Sequence, residues 1–180
     1  MKYLVILAFL SVSTLSFATG SDSTKAVASL PSVSLKNTDG QSIDLKSYGT
    51  NGKITIISFW ATWCKPCIKE LRNMQDLMDD WAEEYNAELV AISVDDSRNS
   101  SKVKPFAAGQ GWTFDILLDP NGEAQRAMNV TNPPVTYLID TAGNVVYTHT
   151  GYLEGDEYDL EEEIKKLTGT ADSSKKDKKK

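Results

Sequence analysis

The chain is poor in cysteine and histidine, the residues that hold zinc and copper. It has two cysteines and a single histidine, His149. A structural zinc site takes four protein ligands, so the set for one is missing. Basic charge is also short: 19 Lys and Arg stand against 25 Asp and Glu, for a net charge of −6. That balance offers no basic face to nucleic acid. The apolar stretch near the start is brief, broken by Ser11, Ser13 and Ser16, and falls short of the roughly 18 residues a membrane span needs. What remains is 41% hydrophobic and 24% charged over 180 residues, the make-up of one globular domain with enough material for a core.

The two ends read as segments apart from that domain. Lys2 supplies a positive start, residues 3–10 an apolar stretch, and Ser16-Phe17-Ala18 a small-x-small cleavage site. Residues 1–18 are therefore expected to be an export signal cut after Ala18, which implies a periplasmic or secreted product. No cysteine follows the signal, so no lipid attachment is expected. Residues 19–29, rich in Ser, Thr and Ala, read as a flexible lead-in, residues 30–168 as the domain, and residues 169–180 as a disordered tail ending in lysines.

The two cysteines stand together. Ile54–Trp60 is an apolar, β-branched run that reads as a buried strand. Beyond Cys64 and Cys67, Leu71, Met74, Met78, Trp81 and Tyr85 recur at helical spacing. The pair thus falls on a strand-to-helix junction, with Cys64 at the helix N-terminus. Unpaired N–H groups and the helix dipole there favour a thiolate, and Lys65 adds a cation. Such settings lower a cysteine pKa from about 8.5 to roughly 3.5–7.5. Pro66 suits the first helical turn, where its missing N–H is not needed. The apolar stripe extended backward reaches Cys67, so Cys67 is expected to face inward and Cys64 to sit at the tip. An accessible nucleophile beside a buried resolving thiol is the layout for disulfide exchange.

Residues 60–67, Trp-Ala-Thr-Trp-Cys-Lys-Pro-Cys, resemble the active site of the thioredoxin superfamily, and most closely its secreted TlpA/ResA-like branch of thiol–disulfide oxidoreductases. The resemblance covers residues 28–167. It implies a three-layer α/β thioredoxin fold with a mixed central sheet, an N-terminal β-hairpin and a central α/β insertion. Asp39-Gly40, a strong turn signal, places the hairpin at residues 33–45. Strands are expected at 89–94 and 116–118, helices at 102–110 and 122–128, and the insertion between Val94 and Val130. Residues 46–52 read as a loop, and Asp95 and Asp96 as a solvated loop after a strand. A hairpin turn at 140–144 follows the strand 135–139. A last helix at 156–167 is expected to cover the sheet with Leu160, Ile164 and Leu167.

Two further features gain meaning from the resemblance. Thioredoxins carry a buried Asp six residues before the first cysteine; here that position is Ser58. The ResA-like branch has a glutamate three residues after the second cysteine, and Glu70 stands there. Residues three apart share a helix face, so Glu70 is the candidate for taking the Cys67 proton. The superfamily also places a cis-proline before the next strand and binds substrate beside it as an added strand. That proline is Pro134. Pro133 precedes it and has no N–H to offer. Trp63, Lys65, Pro66, Pro133 and Pro134 are the expected substrate-binding residues.

The expected activity is an exported thiol–disulfide oxidoreductase in which a redox disulfide, Cys64–Cys67, exchanges with protein thiols and disulfides. No cofactor or metal is expected. The thiolate-favouring setting points toward an oxidant, while the resemblance points to reduction, fed by a membrane donor and often directed to apocytochrome c; reduction is the expectation adopted. A monomer is expected. Three rival readings stay open. A copper-binding assembly chaperone could use both thiols and His149, although His149 reads better as a strand or surface residue. A thiol peroxidase would want a Thr three residues before its cysteine, where Ala61 stands. A redox centre that only gates partner binding is the third.

Overall fold

The computed structural model describes residues 28–169. The expected export signal, nearly all of the expected lead-in and the lysine-rich end lie outside the described residues. The framework is a seven-stranded mixed sheet in the order β2-β1-β5-β4-β3-β6-β7. Its centre is β3 (Ile54–Trp60), in which every residue is buried. A strand covered on both faces needs no polar alternation, which is why this run is mostly apolar, with only Thr55 and Ser58 as buried polar residues. It pairs in parallel with β4 (Ala87–Ser93) and antiparallel with β6 (Val135–Ile139).

On one face lies α1 (Lys65–Tyr85), buried along Cys67, Glu70, Leu71, Met74, Met78, Trp81 and Tyr85. The helix ends at Asn86, whose left-handed backbone (φ 52°) turns its N–H back to the Trp81 carbonyl. Beside it packs α4 (Asp156–Thr168), with acidic residues in its first turn and lysines in its last, the arrangement its dipole favours. Leu160 and Ile164 are buried, but Leu167 is 37% exposed. The expected third contact is not made: Leu167 lies in the final turn of α4 and stays exposed. The other face is covered by α3 (Glu123–Ala127) and by a 3₁₀ turn at Leu45–Gly49. That turn replaces the expected loop, since the Asp44 side chain accepts the Lys46 N–H and starts it.

The hairpin β1 (Ser34–Asn37) and β2 (Ser42–Asp44) does not pair with the central strands directly. It pairs through β1 with β5 (Asp115–Leu118), which joins the sheet parallel to β4. The segment carrying α2 (Val103–Gln110), β5 and α3 is thus the bridge between hairpin and core. At the opposite edge β7 (Val145–Thr150) pairs antiparallel with β6. Ala28 and Ser29, at the end of the expected lead-in, already bond to Val145 and bridge to Asn144. The β6–β7 turn requires Gly143: its φ is +84°, and a Cβ there would stand 2.5 Å from the Gly49 carbonyl oxygen.

Candidate active site

The chain leaves the end of β3 through a tight turn in which the Cys64 N–H reaches the Ala61 carbonyl. Cys64 is the N-cap of α1, and its sulfur accepts the Cys67 N–H at 3.3 Å. Its carbonyl takes the first helical bond, from the Ile68 N–H. Cys64 and Cys67 form a disulfide, with their Cα atoms 5.3 Å apart. Cys67 is fully buried and Cys64 only 5% exposed. Cys64 is thus the more exposed of the two, but by a small margin, and both are buried in the disulfide form. The exposed part of the site is its rim: Trp63 is 64% exposed, and Lys65 and Pro66 are exposed beside it.

Pro134 is buried at the start of β6, and the Pro133–Pro134 bond is cis. The register sets Phe59 opposite Val135. That brings Pro134 to the end of β3 from which the Cys64 turn departs. Its carbonyl is taken by the Gly151 N–H, so it serves the sheet.

Glu70 is 4% exposed. Ser58 Oγ donates to its Oε2 at 3.0 Å and Thr136 Oγ1 to its Oε1 at 2.7 Å. Ser58 and Thr136 are cross-strand partners, so neighbouring strands present two hydroxyls to one carboxyl on α1. Burial, partly offset by these two hydrogen bonds and the charge of His149, raises the Glu70 carboxyl to about 7. A carboxyl at that value can take and return a proton near neutral pH.

Asp95 corrects one expectation. It is 1% exposed, not solvated. Its carboxylate accepts the Thr62 N–H at 2.8 Å, the Thr62 hydroxyl at 2.6 Å and the Ser93 hydroxyl at 2.9 Å. It thereby ties the turn before Cys64 to the end of β4. Asp96 remains exposed and caps the following turn, accepting the Arg98 and Asn99 N–H groups. Nothing near Asp95 in sequence announces its hold on the cysteine turn, since Thr62 lies 33 positions away.

His149 lies in β7, with Nε2 3.0 Å from Asp156 Oδ2 and Nδ1 3.4 Å from the Tyr147 hydroxyl. These contacts tie it to Asp156 and Tyr147. Among the described residues no three His, Cys, Asp or Glu side chains gather as metal ligands.

Comparison with known proteins agrees with this architecture. The AhpC/TSA family model matches residues 26–148. The thiol-disulfide oxidoreductase ResA of Bacillus thuringiensis subsp. konkukian (strain 97-27) is 33% identical over 138 residues, covering 77% of this chain and 76% of that one. The thioredoxin-like protein YneN of Bacillus subtilis (strain 168) is 35% identical over 122 residues, or 67% of this chain and 69% of its own. Among solved structures, a thioredoxin-like protein from Porphyromonas gingivalis superposes with a TM-score of 0.71 at 44% identity, covering 80% of this chain and 94% of the other.

Proposed function

The chain belongs to the AhpC/TSA family and is a thioredoxin-like thiol–disulfide oxidoreductase, and on that premise we propose that it is exported and reduces protein disulfides through Cys64 and Cys67. The observation that carries the reading is the cysteine pair across the first turn of α1, with the Cys64 sulfur held by an N–H of that turn. The same donor that bonds the sulfur in the disulfide stabilises a thiolate after reduction.

In the reduced enzyme the Cys64 thiolate attacks a substrate disulfide. A Cys64–substrate disulfide forms and one substrate thiolate leaves. Cys67 then gives its proton to Glu70, and its thiolate attacks the Cys64 sulfur. The Cys64–Cys67 disulfide forms, the second substrate thiolate leaves, and two electrons have passed to the substrate. Renewal of the dithiol needs an external dithiol donor, which we place in the membrane. Trp63, Lys65 and Pro66 form the landing rim, and Pro133 and Pro134 flank the edge where an extended substrate segment lies. The export signal in residues 1–18 would put the enzyme in the periplasm or outside the cell, where apocytochrome c is a fitting substrate class. We take the enzyme to act as a monomer.

Reduction of insulin or of a small aromatic disulfide by the dithiol-charged protein tests this reading. Cys64→Ser is expected to abolish turnover while keeping the fold. Wild-type protein that shows no disulfide reduction, or Cys64→Ser that retains it, would overturn the reading.

A further inference from the structure

Glu70 is buried, so a proton it takes from Cys67 must travel before it reaches solvent. The sheet register shows where it can go. Ser58 on β3 stands opposite Thr136 on β6, and Thr136 stands opposite His149 on β7. Directly paired residues put their side chains on the same face, about 4.5–5.5 Å apart at Cβ. The three therefore form a polar row from the central strand to β7, the last strand of the sheet. The inner two hold the Glu70 carboxyl. The outer one is half-exposed, its side chain 35% accessible.

Between Glu70 and His149 lies a cavity of about 10 Å³, at the threshold for a single water molecule. Met74 and Leu160 close it with apolar surface. The titratable groups facing it are Glu70 from α1, Tyr147 and His149 from β7, Tyr152 from the following loop, and Asp156 and Glu157 from α4. Two of these are already committed elsewhere: the Tyr152 hydroxyl donates to Glu157 at 2.8 Å, and Asn73 donates to both. Asp156 accepts the Leu153 N–H at 2.6 Å and lies 3.0 Å from His149 Nε2. A carboxylate at that nitrogen assigns it the hydrogen, which leaves Nδ1, 3.4 Å from the Tyr147 hydroxyl, as the base.

We propose that His149 is the outlet of a proton path from Glu70, reached through the water-sized cavity between them, with Asp156 as the positioning residue that fixes the accepting form of the ring. The proposal rests on the reading of Glu70 as the acceptor of the Cys67 proton. In the resolving step that proton passes to Glu70, then through one water to His149, and the imidazolium releases it to bulk solvent. No electrons move along the path, and in the reverse reaction the proton runs inward. Burial holds the Glu70 carboxyl at about 7, so it releases a proton readily at neutral pH.

The test is stopped-flow resolution of a mixed disulfide on Cys64, formed by mixing the intact reduced chain with an aromatic disulfide, followed from pH 5 to 9. The proteins are wild type, Glu70→Gln, His149→Gln, His149→Ala and Asp156→Asn, with thermal unfolding as the folding control. His149→Gln is expected to slow resolution about 10-fold or more and to change the shape of the pH profile, with the first attack by Cys64 unchanged. Added imidazole is expected to restore His149→Ala, and Asp156→Asn to displace the profile. Slow Glu70→Gln beside a His149→Gln profile that matches wild type would overturn the path and leave the Glu70 reading standing. A Glu70→Gln profile that matches wild type would overturn both. A slow His149→Ala that imidazole does not restore, with an unchanged pH profile, would make His149 merely structural and overturn the path.

Discussion

Ser58 donates a hydrogen bond to Glu70 at 3.0 Å, from a strand to a helix that begins only after the cysteine turn. In the thioredoxin pattern the Ser58 position carries the buried acid itself. Here the strand supplies a hydroxyl and α1 supplies the carboxyl, so an acid occupies the same neighbourhood by another route. The consequence is a carboxyl with two donors and little water, whose proton is held to about pH 7.

That shift sets a dependence of stability on pH. The folded chain keeps a proton on Glu70 that the unfolded chain has released between pH 4.5 and about 7. Stability from this group is therefore full below that window and falls as pH rises through it. Glu70→Gln removes the term, worth about 3 kcal/mol, but leaves one of the two hydroxyls without its acceptor, at about 1 kcal/mol. Urea unfolding is expected to find the variant about 2 kcal/mol more stable than wild type at pH 8 and slightly less stable at pH 4. Parallel stability curves for the two proteins across this range would contradict the burial argument.

The two cysteines are expected to behave differently when trapped. Cys67→Ala, which leaves Cys64 at the helix N-terminus without a resolving partner, is expected to accumulate mixed disulfides with substrate. Cys64→Ala, left with a fully buried thiol, is expected to accumulate none. Non-reducing electrophoresis after incubation with a disulfide-bonded protein reads the difference, and equal trapping would reverse the assignment.

Asp95 is expected to matter for both stability and rate. Asp95→Ala removes the acceptor of the Thr62 N–H, the Thr62 hydroxyl and the Ser93 hydroxyl. A fully buried donor left unpaired costs about 1–3 kcal/mol; the Ser93 hydroxyl is buried and the two Thr62 donors only partly so, and a loss of about 2–4 kcal/mol is expected in urea unfolding. The turn before Cys64 loosens as well, and turnover at a temperature where the variant is folded is expected to fall. Asp95→Asn keeps one acceptor and is expected to lie between the two. Wild-type stability in Asp95→Ala would show that the three bonds are dispensable.

Trp63 is expected to act on substrate and not on the fold. Its side chain is largely exposed on the rim, so Trp63→Ala is expected to change the unfolding midpoint little. Loss of a large apolar contact is expected to raise KM for protein disulfides while sparing reaction with a small disulfide. Equal effects on large and small substrates would remove Trp63 from the landing rim.

The sequence by itself determined the cysteine turn, the flanking strand and helix, the hairpin turns and the Pro133–Pro134 approach to β6. Each rests on neighbours in the chain: a two-residue spacing, a period of two or 3.6, an Asp-Gly pair. It also marked Glu70, because one helical turn links it to Cys67. Tertiary structure decided what surrounds that carboxyl. Thr136 is 66 positions from Glu70, yet donates to it, and His149 comes beside Thr136 only through the β6–β7 register. Asp95 read as solvated because polarity in a loop predicts exposure, and only the approach of the Thr62 turn adds two donors to the one that Ser93 gives it. Leu167 read as buried because helical period says which side faces inward, not how far along the helix burial extends. Periodicity is a property of one segment, whereas register and burial belong to pairs of segments that the chain brings together only on folding.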